Sequence, residues 1–196
     1  GFGARLPGGT YGISADWLGI PVAEEPALDL SADVSLTLDC SVYYLNVSAD
    51  DDRGIALVDA YVSVTRVDGA DAGGTGATDA SGRAGFRLPG GTYDVSVVWM
   101  GVEIFADDGH ELNGTHTLDA ACAVHYLAVT AVDSASDPVK GLTVTVAGNG
   151  IVTNMETDGK GICEFRLPAG TYTVTARLQA TESYQEIDQE LTEDVG

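Results

Sequence analysis

The clearest alternation of hydrophobic and polar positions lies in the middle of the chain. Tyr93, Val95, Val97 and Trp99 occupy every second position there, with Asp, Ser and Val between them. A period of two predicts a β-strand with one face in a core and the other in solvent. The preceding residues, 78–91, predict a turn, a short strand and a tight turn at the Pro-Gly pair. No sustained 3.6-residue period is present and β-branched residues dominate, so the sequence predicts an all-β protein.

This pattern occurs three times along the chain. The motif Arg-Leu-Pro-x-Gly-Thr-Tyr stands at 5–11, 87–93 and 166–172, with offsets of 82 and 79 residues. Cys40 and Cys122 are also 82 residues apart. These offsets indicate an internal duplication. A unit of about 80 residues is large enough for a small sandwich with its own core, so we expect each repeat to fold largely alone.

The duplication divides the chain into three units, which we call the first, second and third repeats. Residues 1–39 form the C-terminal half of a repeat, residues 40–121 a complete repeat and residues 122–196 a further one. Outside the central stretch, the predicted strands are 1–6, 10–17 and 33–38 in the first repeat, 42–48, 60–66, 75–78, 103–111 and 114–118 in the second, and 184–195 in the third.

The first repeat lacks the strands that would complete a sandwich. Two interpretations remain open at this point. The chain is a segment of a longer protein whose upstream sequence holds those strands, or another subunit supplies them by strand complementation. The second has a known mechanism, because an extended segment can add to an open sheet edge.

The charge of the chain argues against some classes of partner. It has 9 basic and 30 acidic residues and a formal net charge of −21. Such an acidic surface repels nucleic acids and anionic lipids. No run of about 20 apolar residues is present that would insert into a membrane. The hydrophobic fraction of 44% is high for a disordered chain.

Acidic turns are the candidate metal sites. Asp50, Asp51 and Asp52 share one turn, and Asp133 and Asp137 occupy the equivalent turn of the third repeat. Several oxygens at one point suit Ca²⁺, but EF-hand spacing is absent and a solvated acidic turn is the alternative. No other cofactor is expected. The chain also lacks a zinc-protease motif, a nucleophile elbow, a P-loop and a dinucleotide motif, so we expect no enzyme activity.

The combined motif resembles the carboxypeptidase-regulatory-like repeat. It consists of Thr-Asp-x-x-Gly at 78–82, Phe-Arg-Leu-Pro-x-Gly-Thr-Tyr at 86–93 and an alternating strand that ends near Trp-x-Gly. The resemblance covers residues 40–196 almost wholly and residues 1–39 by half. It implies tandem transthyretin-like, Ig-like seven-stranded β-sandwiches related to Cna-B modules, in a prokaryotic surface protein. An isopeptide bond of the Cna-B kind is not expected, because the second repeat has no lysine.

The resemblance implies a structural role at the cell surface or outside the cell. We expect a subunit or segment of a filament or stalk, whose partners are copies of itself or neighbouring repeats. The alternative is an adhesin or carbohydrate-binding module, with Trp17 and Trp99 as stacking platforms. Both tryptophans fall on the predicted buried faces of their strands, which favours core positions instead.

An extracellular location would permit disulfides and glycosylation. Cys122 and Cys163 fall on different strands of the third repeat and could form a bridge. The alternatives are free thiols packed as small apolar groups, or a bridge from Cys40 to another subunit. Asn46 and Asn113 begin the sequons Asn-Val-Ser and Asn-Gly-Thr, with predicted positions on the surface. If they are modified, the chain is a glycoprotein.

Overall fold

The computed structural model describes residues 3–177 and 186–193, and every regular element among them is a β-strand. The strands are β1 Gly9–Trp17, β2 Ile20–Leu30, β3 Val42–Asp50, β4 Tyr61–Arg66, β5 Gly74–Ala77, β6 Arg83–Pro89, β7 Gly91–Trp99, β8 Val102–Leu112, β9 His116–Ala121, β10 Val124–Thr130, β11 Thr143–Gly148, β12 Ile151–Glu156, β13 Ile162–Pro168, β14 Gly170–Arg177 and β15 Glu186–Leu191. The predicted all-β fold is confirmed.

Seven strands of the second repeat form two sheets that enclose a core. One sheet has the order β6-β3-β9 and the other the order β5-β4-β7-β8. Most neighbours are antiparallel, but β3 and β9 pair in parallel, with Leu45 opposite His116. In the third repeat β10 pairs with β13, and the second sheet has the order β12-β11-β14-β15. Strands β1 and β2 of the first repeat form an antiparallel pair.

The buried side chains follow the predicted alternation. Tyr93, Val95 and Val97 on β7 are almost completely buried, whereas Asp94 between them is exposed. One core cluster runs from Leu45 to Val124 and a second from Leu127 to Leu191. Burial of such side chains contributes about 1.5–3 kcal/mol each. The first cluster includes Cys122 and Val124, so the core of the second sandwich extends past residue 121.

The Thr-Asp-x-x-Gly motif has a hydrogen-bonding role in both complete copies. Thr78 is buried; its Oγ1 donates to the Leu57 carbonyl (2.5 Å) and accepts from the Ala60 amide (2.9 Å). Thr157 makes the same two bonds in the third repeat. The carboxylate of Asp79 accepts from the amides of Arg83 and Ser81, which holds its pKa below the usual value. The motif therefore ties a hairpin turn to a distant loop.

The Pro-x-Gly-Thr-Tyr motif closes on itself. In each copy the tyrosine hydroxyl donates to the carbonyl of the proline four residues earlier, at 2.7 Å for Tyr11, 2.7 Å for Tyr93 and 2.8 Å for Tyr172. The hydroxyls of Tyr93 and Tyr172 are buried and require such a partner. This bond explains why proline and tyrosine recur together at this spacing.

The strands of the first repeat differ from the prediction. Residues 3–6 and 33–38, predicted as strands, have no regular structure, and the strand Ile20–Leu30 was not predicted. The turn between β1 and β2 explains the added strand, because Leu18 and Gly19 adopt φ values of 51° and 74° and close a tight hairpin. Residues 33–38 correspond to β9, which pairs in parallel with β3 in the second repeat, and among the described residues no strand pairs with 33–38.

The predicted last strand is confirmed only within Glu186–Leu191. Residues 184, 185, 194 and 195 of that prediction lie outside the described residues.

Candidate functional site at the joint between repeats

A cluster of charged and aromatic side chains connects the second and third repeats, and we call it the joint. Its centre is Asp51, whose side chain is 0% exposed. Oδ2 of Asp51 accepts a hydrogen bond from the Tyr126 hydroxyl at 2.8 Å and lies 2.8 Å from Nε of Arg166. Among the described residues the Arg166 Nε–H has no aligned acceptor, so this contact is an ion pair. One carboxylate thus binds two side chains of the next repeat.

Arg166 makes further contacts across the joint. Its Nη2 donates to the carbonyls of Ile55 (2.7 Å) and Ala56 (3.2 Å), and its guanidinium lies 5.5 Å from the ring centroid of Trp99. Cation–π contacts at this distance stabilise by about 0.5–1 kcal/mol at exposed sites and more when desolvated. The side chain is only 25% exposed, so water screens these contacts incompletely.

The turn that carries Asp51 is shaped by the same carboxylate. Oδ1 accepts from the backbone amides of Arg53 (3.0 Å) and Ile55 (2.7 Å). Asp51 therefore fixes the carbonyl of Ile55 that Arg166 binds. The guanidinium of Arg53 lies 3.6 Å above the Tyr126 ring. Burial, and then the hydrogen bond to Asp51, raise the pKa of Tyr126, which keeps its hydroxyl protonated as a donor.

Backbone contacts leave little slack between the two repeats. Only Cys122 and Ala123 separate β9 from β10. The amide of Ala123 donates to the Ile104 carbonyl at 2.9 Å, and the carbonyl of Ala123 accepts from Ala169 at 2.8 Å. The side chain of Val102, on β8 of the second repeat, packs against the core cluster of the third. These bonds hold the connection at both ends.

Part of the joint recurs between the first and second repeats. The guanidinium of Arg87 lies 4.8 Å from the ring centroid of Trp17, as Arg166 lies over Trp99. The amide of Ser41 donates to the Val22 carbonyl at 2.8 Å, in the place of Ala123 and Ile104. The arginines of the second and third Arg-Leu-Pro motifs therefore face the tryptophan of the preceding repeat.

The third repeat has the same acidic turn in an exposed position. Oδ1 of Asp133 accepts from the amides of Ala135 (2.8 Å) and Asp137 (2.9 Å), as Oδ1 of Asp51 does in its turn. Asp133 is exposed, whereas Asp51 is buried by Tyr126 and Arg166. The two turns thus differ in the presence of a following sandwich among the described residues.

The predicted calcium ligands do not come together. Asp52 lies 2.8 Å from Nδ1 of His125, Asp50 is 3.5 Å from the Ser48 hydroxyl, and Asp133 shapes its own turn with Asp137. The described residues contain no group of three or more His, Cys, Asp or Glu side chains that could hold a metal ion. Binding of Ca²⁺ by these turns stays a prediction.

The cysteines are free thiols in the structure. Cys122 packs in the core of the second repeat and Cys163 in that of the third, so the predicted bridge between them is not formed. Burial, together with the negative charge of Asp50, raises the pKa of Cys122 to about 12. Burial also raises the pKa of Cys163. Cys40 is exposed.

The sequons differ in accessibility. Asn113 is exposed in the loop between β8 and β9, and Asn46 is half-buried on β3, opposite Gly85. Their glycosylation stays a prediction. Trp99 is half-buried, but Trp17 is 37% exposed, so its predicted core position is wrong. Among the described residues no second sheet covers the Trp17 ring, and the guanidinium of Arg87 lies over it instead.

The pairing of Asp51 with Arg166 could not be predicted from the sequence. The available signal was the recurrence of an arginine before Leu-Pro, together with a tyrosine at both 44 and 126. Neither residue is needed for the alternation of a strand, so each recurrence required a separate explanation. The joint supplies it for Tyr126 and Arg166.

Comparisons with the models of known protein families and with curated proteins found no match. Among solved structures, the chain is similar to the Bacillus anthracis TIE protein, with 22% identity and a TM-score of 0.36 over 97% of this chain and 41% of that one. It is also similar to a streptococcal ancillary pilin, with 15% identity and a TM-score of 0.39 over 97% of this chain and 75% of that one. The shaft pilin SpaA from Lactobacillus rhamnosus GG is similar with 11% identity and a TM-score of 0.42, over 78% of this chain and 96% of that one. The chain spans about two fifths of the TIE protein. With TM-scores below 0.5, these likenesses carry no argument about function. The described residues also contain no helix long and apolar enough to cross a membrane.

Proposed function

We propose that this chain is a structural repeat segment of an extracellular filament or stalk, in which the joint holds successive sandwiches at a fixed angle. The observation that carries the proposal is the burial of Asp51 between Tyr126 and Arg166 of the next repeat. A buried ion pair with hydrogen bonds on both carboxylate oxygens favours one geometry over others. We also propose that its sandwiches are carboxypeptidase-regulatory-like repeats and that the chain lies at the cell surface.

The recurrence of part of the joint supports a function in building an extended array of sandwiches. Arginine faces tryptophan at both connections, and a backbone bond holds both linkers. A surface selected only to bind a ligand has no reason to repeat at each connection. The guanidinium groups also occupy one face of each tryptophan, which disfavours the carbohydrate-stacking alternative.

The exposed turn at Asp133 offers a way to continue the array. In this proposal a further sandwich, from neighbouring sequence or from another copy, would place a tyrosine and an arginine on Oδ2 of Asp133, whose bonds within the described residues use Oδ1. Tyr44 and Arg87, the counterparts of Tyr126 and Arg166, are both exposed on the second repeat. Strand complementation by an extended segment is a second route to the same array.

Small-angle X-ray scattering on the full chain tests the stiffness of the joint. We expect the wild type to scatter as an extended particle with one orientation of the second and third sandwiches. Arg166→Ala should broaden the distance distribution, because it removes the ion pair and the bonds to Ile55 and Ala56. Arg83→Ala, at an exposed hairpin position of the second repeat, is the matched control and should change nothing.

A wild-type profile that requires a flexible ensemble would rule out a stiff joint. Electron microscopy of the natural protein then tests the assembly itself. Regular filaments or beaded rods support the proposal, and isolated compact particles contradict it.

A further inference from the structure

Two histidines outside the joint face each other across the edge of the second sandwich. His110 lies on β8 and His116 begins β9, in different sheets. Their Nε2 atoms are 2.7 Å apart, and their ring centroids are 5.0 Å apart at an interplanar angle of 42°. Both side chains are half-buried, so solvent has partial access to the pair.

The hydrogen bonds of the two Nδ1 atoms determine whether the facing Nε2 atoms carry a hydrogen or a lone pair. Nδ1 of His110 lies 2.8 Å from Oδ2 of Asp107, and Nδ1 of His116 lies 3.0 Å from the carbonyl oxygen of Gly114. A carboxylate and a carbonyl only accept, so each Nδ1 carries the hydrogen. A neutral imidazole has a single N–H. In the neutral pair, both Nε2 lone pairs therefore point at the same place.

Two lone pairs at this separation repel each other unless an electrophile lies between them. A metal ion can fill that place when both rings are neutral. We infer that His110 and His116 form a binding site for a late first-row divalent metal ion such as Zn²⁺ or Cu²⁺. Imidazole is a preferred ligand of these ions.

The surroundings match those of metal-binding histidines. Such a histidine almost always donates its second N–H to a carboxylate or a backbone carbonyl, which fixes the ring and increases its basicity. His110 has the first kind of partner and His116 the second. With Zn–N distances of about 2.0–2.1 Å, a tetrahedral ion needs the two nitrogens roughly 3.4 Å apart. The rings must separate by less than 1 Å, and water completes the coordination.

The fold itself does not require these histidines. Tyr93 pairs with His110 on β8, whereas the equivalent tyrosines pair with Leu28 in the first repeat and Gln189 in the third. The histidine pair is thus an addition to one repeat. The net charge of −21 also raises the local concentration of cations around the chain.

Titration of the full chain with ZnCl₂ at pH 8 tests the site. Millimolar CaCl₂ should be present, because hard cations occupy acidic turns but not imidazoles. We expect one Zn²⁺ per chain. His110→Ala and His116→Ala should each weaken binding at least tenfold, and Asp107→Asn should weaken it about 10–100-fold through loss of the orienting partner. His125→Ala is the matched control and should bind as the wild type does.

A second measurement does not depend on the variants. In ¹⁵N spectra of the wild-type histidine side chains, Zn²⁺ should shift Nε2 of His110 and His116 and leave His125 unchanged. The inference is overturned if no stoichiometric Zn²⁺ binds, if the shifts fall on other residues, or if the pair binds only a proton. A flexible joint would refute the proposed function and leave this site intact, so the two failures are distinguishable.

Discussion

The joint makes a quantitative prediction about Asp51. The variant Asp51→Ala removes a carboxylate that binds two amides of its own turn and two side chains of the next repeat. Asp133→Ala removes only the two turn bonds. Both variants remove one negative charge, so the general relief of repulsion in this acidic chain cancels between them. The difference between the two variants isolates the joint.

The expected difference follows from burial. Loss of the turn bonds should cost about 1 kcal/mol in either variant. Breaking a buried ion pair by removing one partner costs about 3–5 kcal/mol, because the other group is left without compensation. Arg166 remains 25% exposed and can recruit water, which places the joint at the lower end of that range. We expect Asp51→Ala to lower the free energy of unfolding by about 3 kcal/mol more than Asp133→Ala does.

Urea denaturation followed by tryptophan fluorescence and far-UV circular dichroism measures this difference. Trp99 lies at the joint and reports its opening directly. Tyr126→Phe should cost about 1 kcal/mol, because it removes one hydrogen bond and leaves the ion pair. If Asp51→Ala and Asp133→Ala lose the same stability within about 0.5 kcal/mol, the joint does not stabilise the chain and the reasoning fails.

Three further predictions concern local features. At pH 8 a thiol reagent such as Ellman's should modify one thiol per native chain, that of the exposed Cys40. Cys122 should not react, because burial raises its pKa to about 12. Fast reaction of all three thiols would contradict the burial of Cys122 and Cys163. Gly161→Ala should lower the free energy of unfolding by about 1–3 kcal/mol. The φ of Gly161 is 75°, and a Cβ there would overlap the carbonyl oxygen of Ala131. Gly159→Ala in the same turn is the control and should be nearly neutral, because a Cβ there meets no atom within 4 Å. Backbone amides hold the pKa of Asp158 below its usual value. The contribution of Asp158 to the free energy of unfolding is therefore present above its unfolded pKa and lost as the pH falls through its folded pKa. Between pH 7 and pH 2 the melting temperature should fall less steeply for Asp158→Asn than for the wild type, and parallel curves would refute this.

The strands of the complete repeats could be predicted because their signals are local. The alternation around Tyr93 and Val95 and the turn residues near Gly82 act over a few positions, and the structure follows both. The edges of the first repeat could not be predicted in this way. A segment such as 33–38 has a strand-like sequence, but it forms a strand only where a partner lies beside it.

The sequence by itself determined the all-β fold, the duplication and the Pro-Gly and Asp-x-x-Gly hairpin turns of the two complete repeats. These follow from the period of the side chains and from the φ preferences of Gly and Pro, which depend on neighbouring residues. Only the tertiary structure decided that Asp51 meets Tyr126, 75 positions away, and that His110 faces His116 across two sheets. The physical reason is that charge and lone-pair contacts depend on how sheets and sandwiches stack, and that stacking leaves no periodic pattern in the chain.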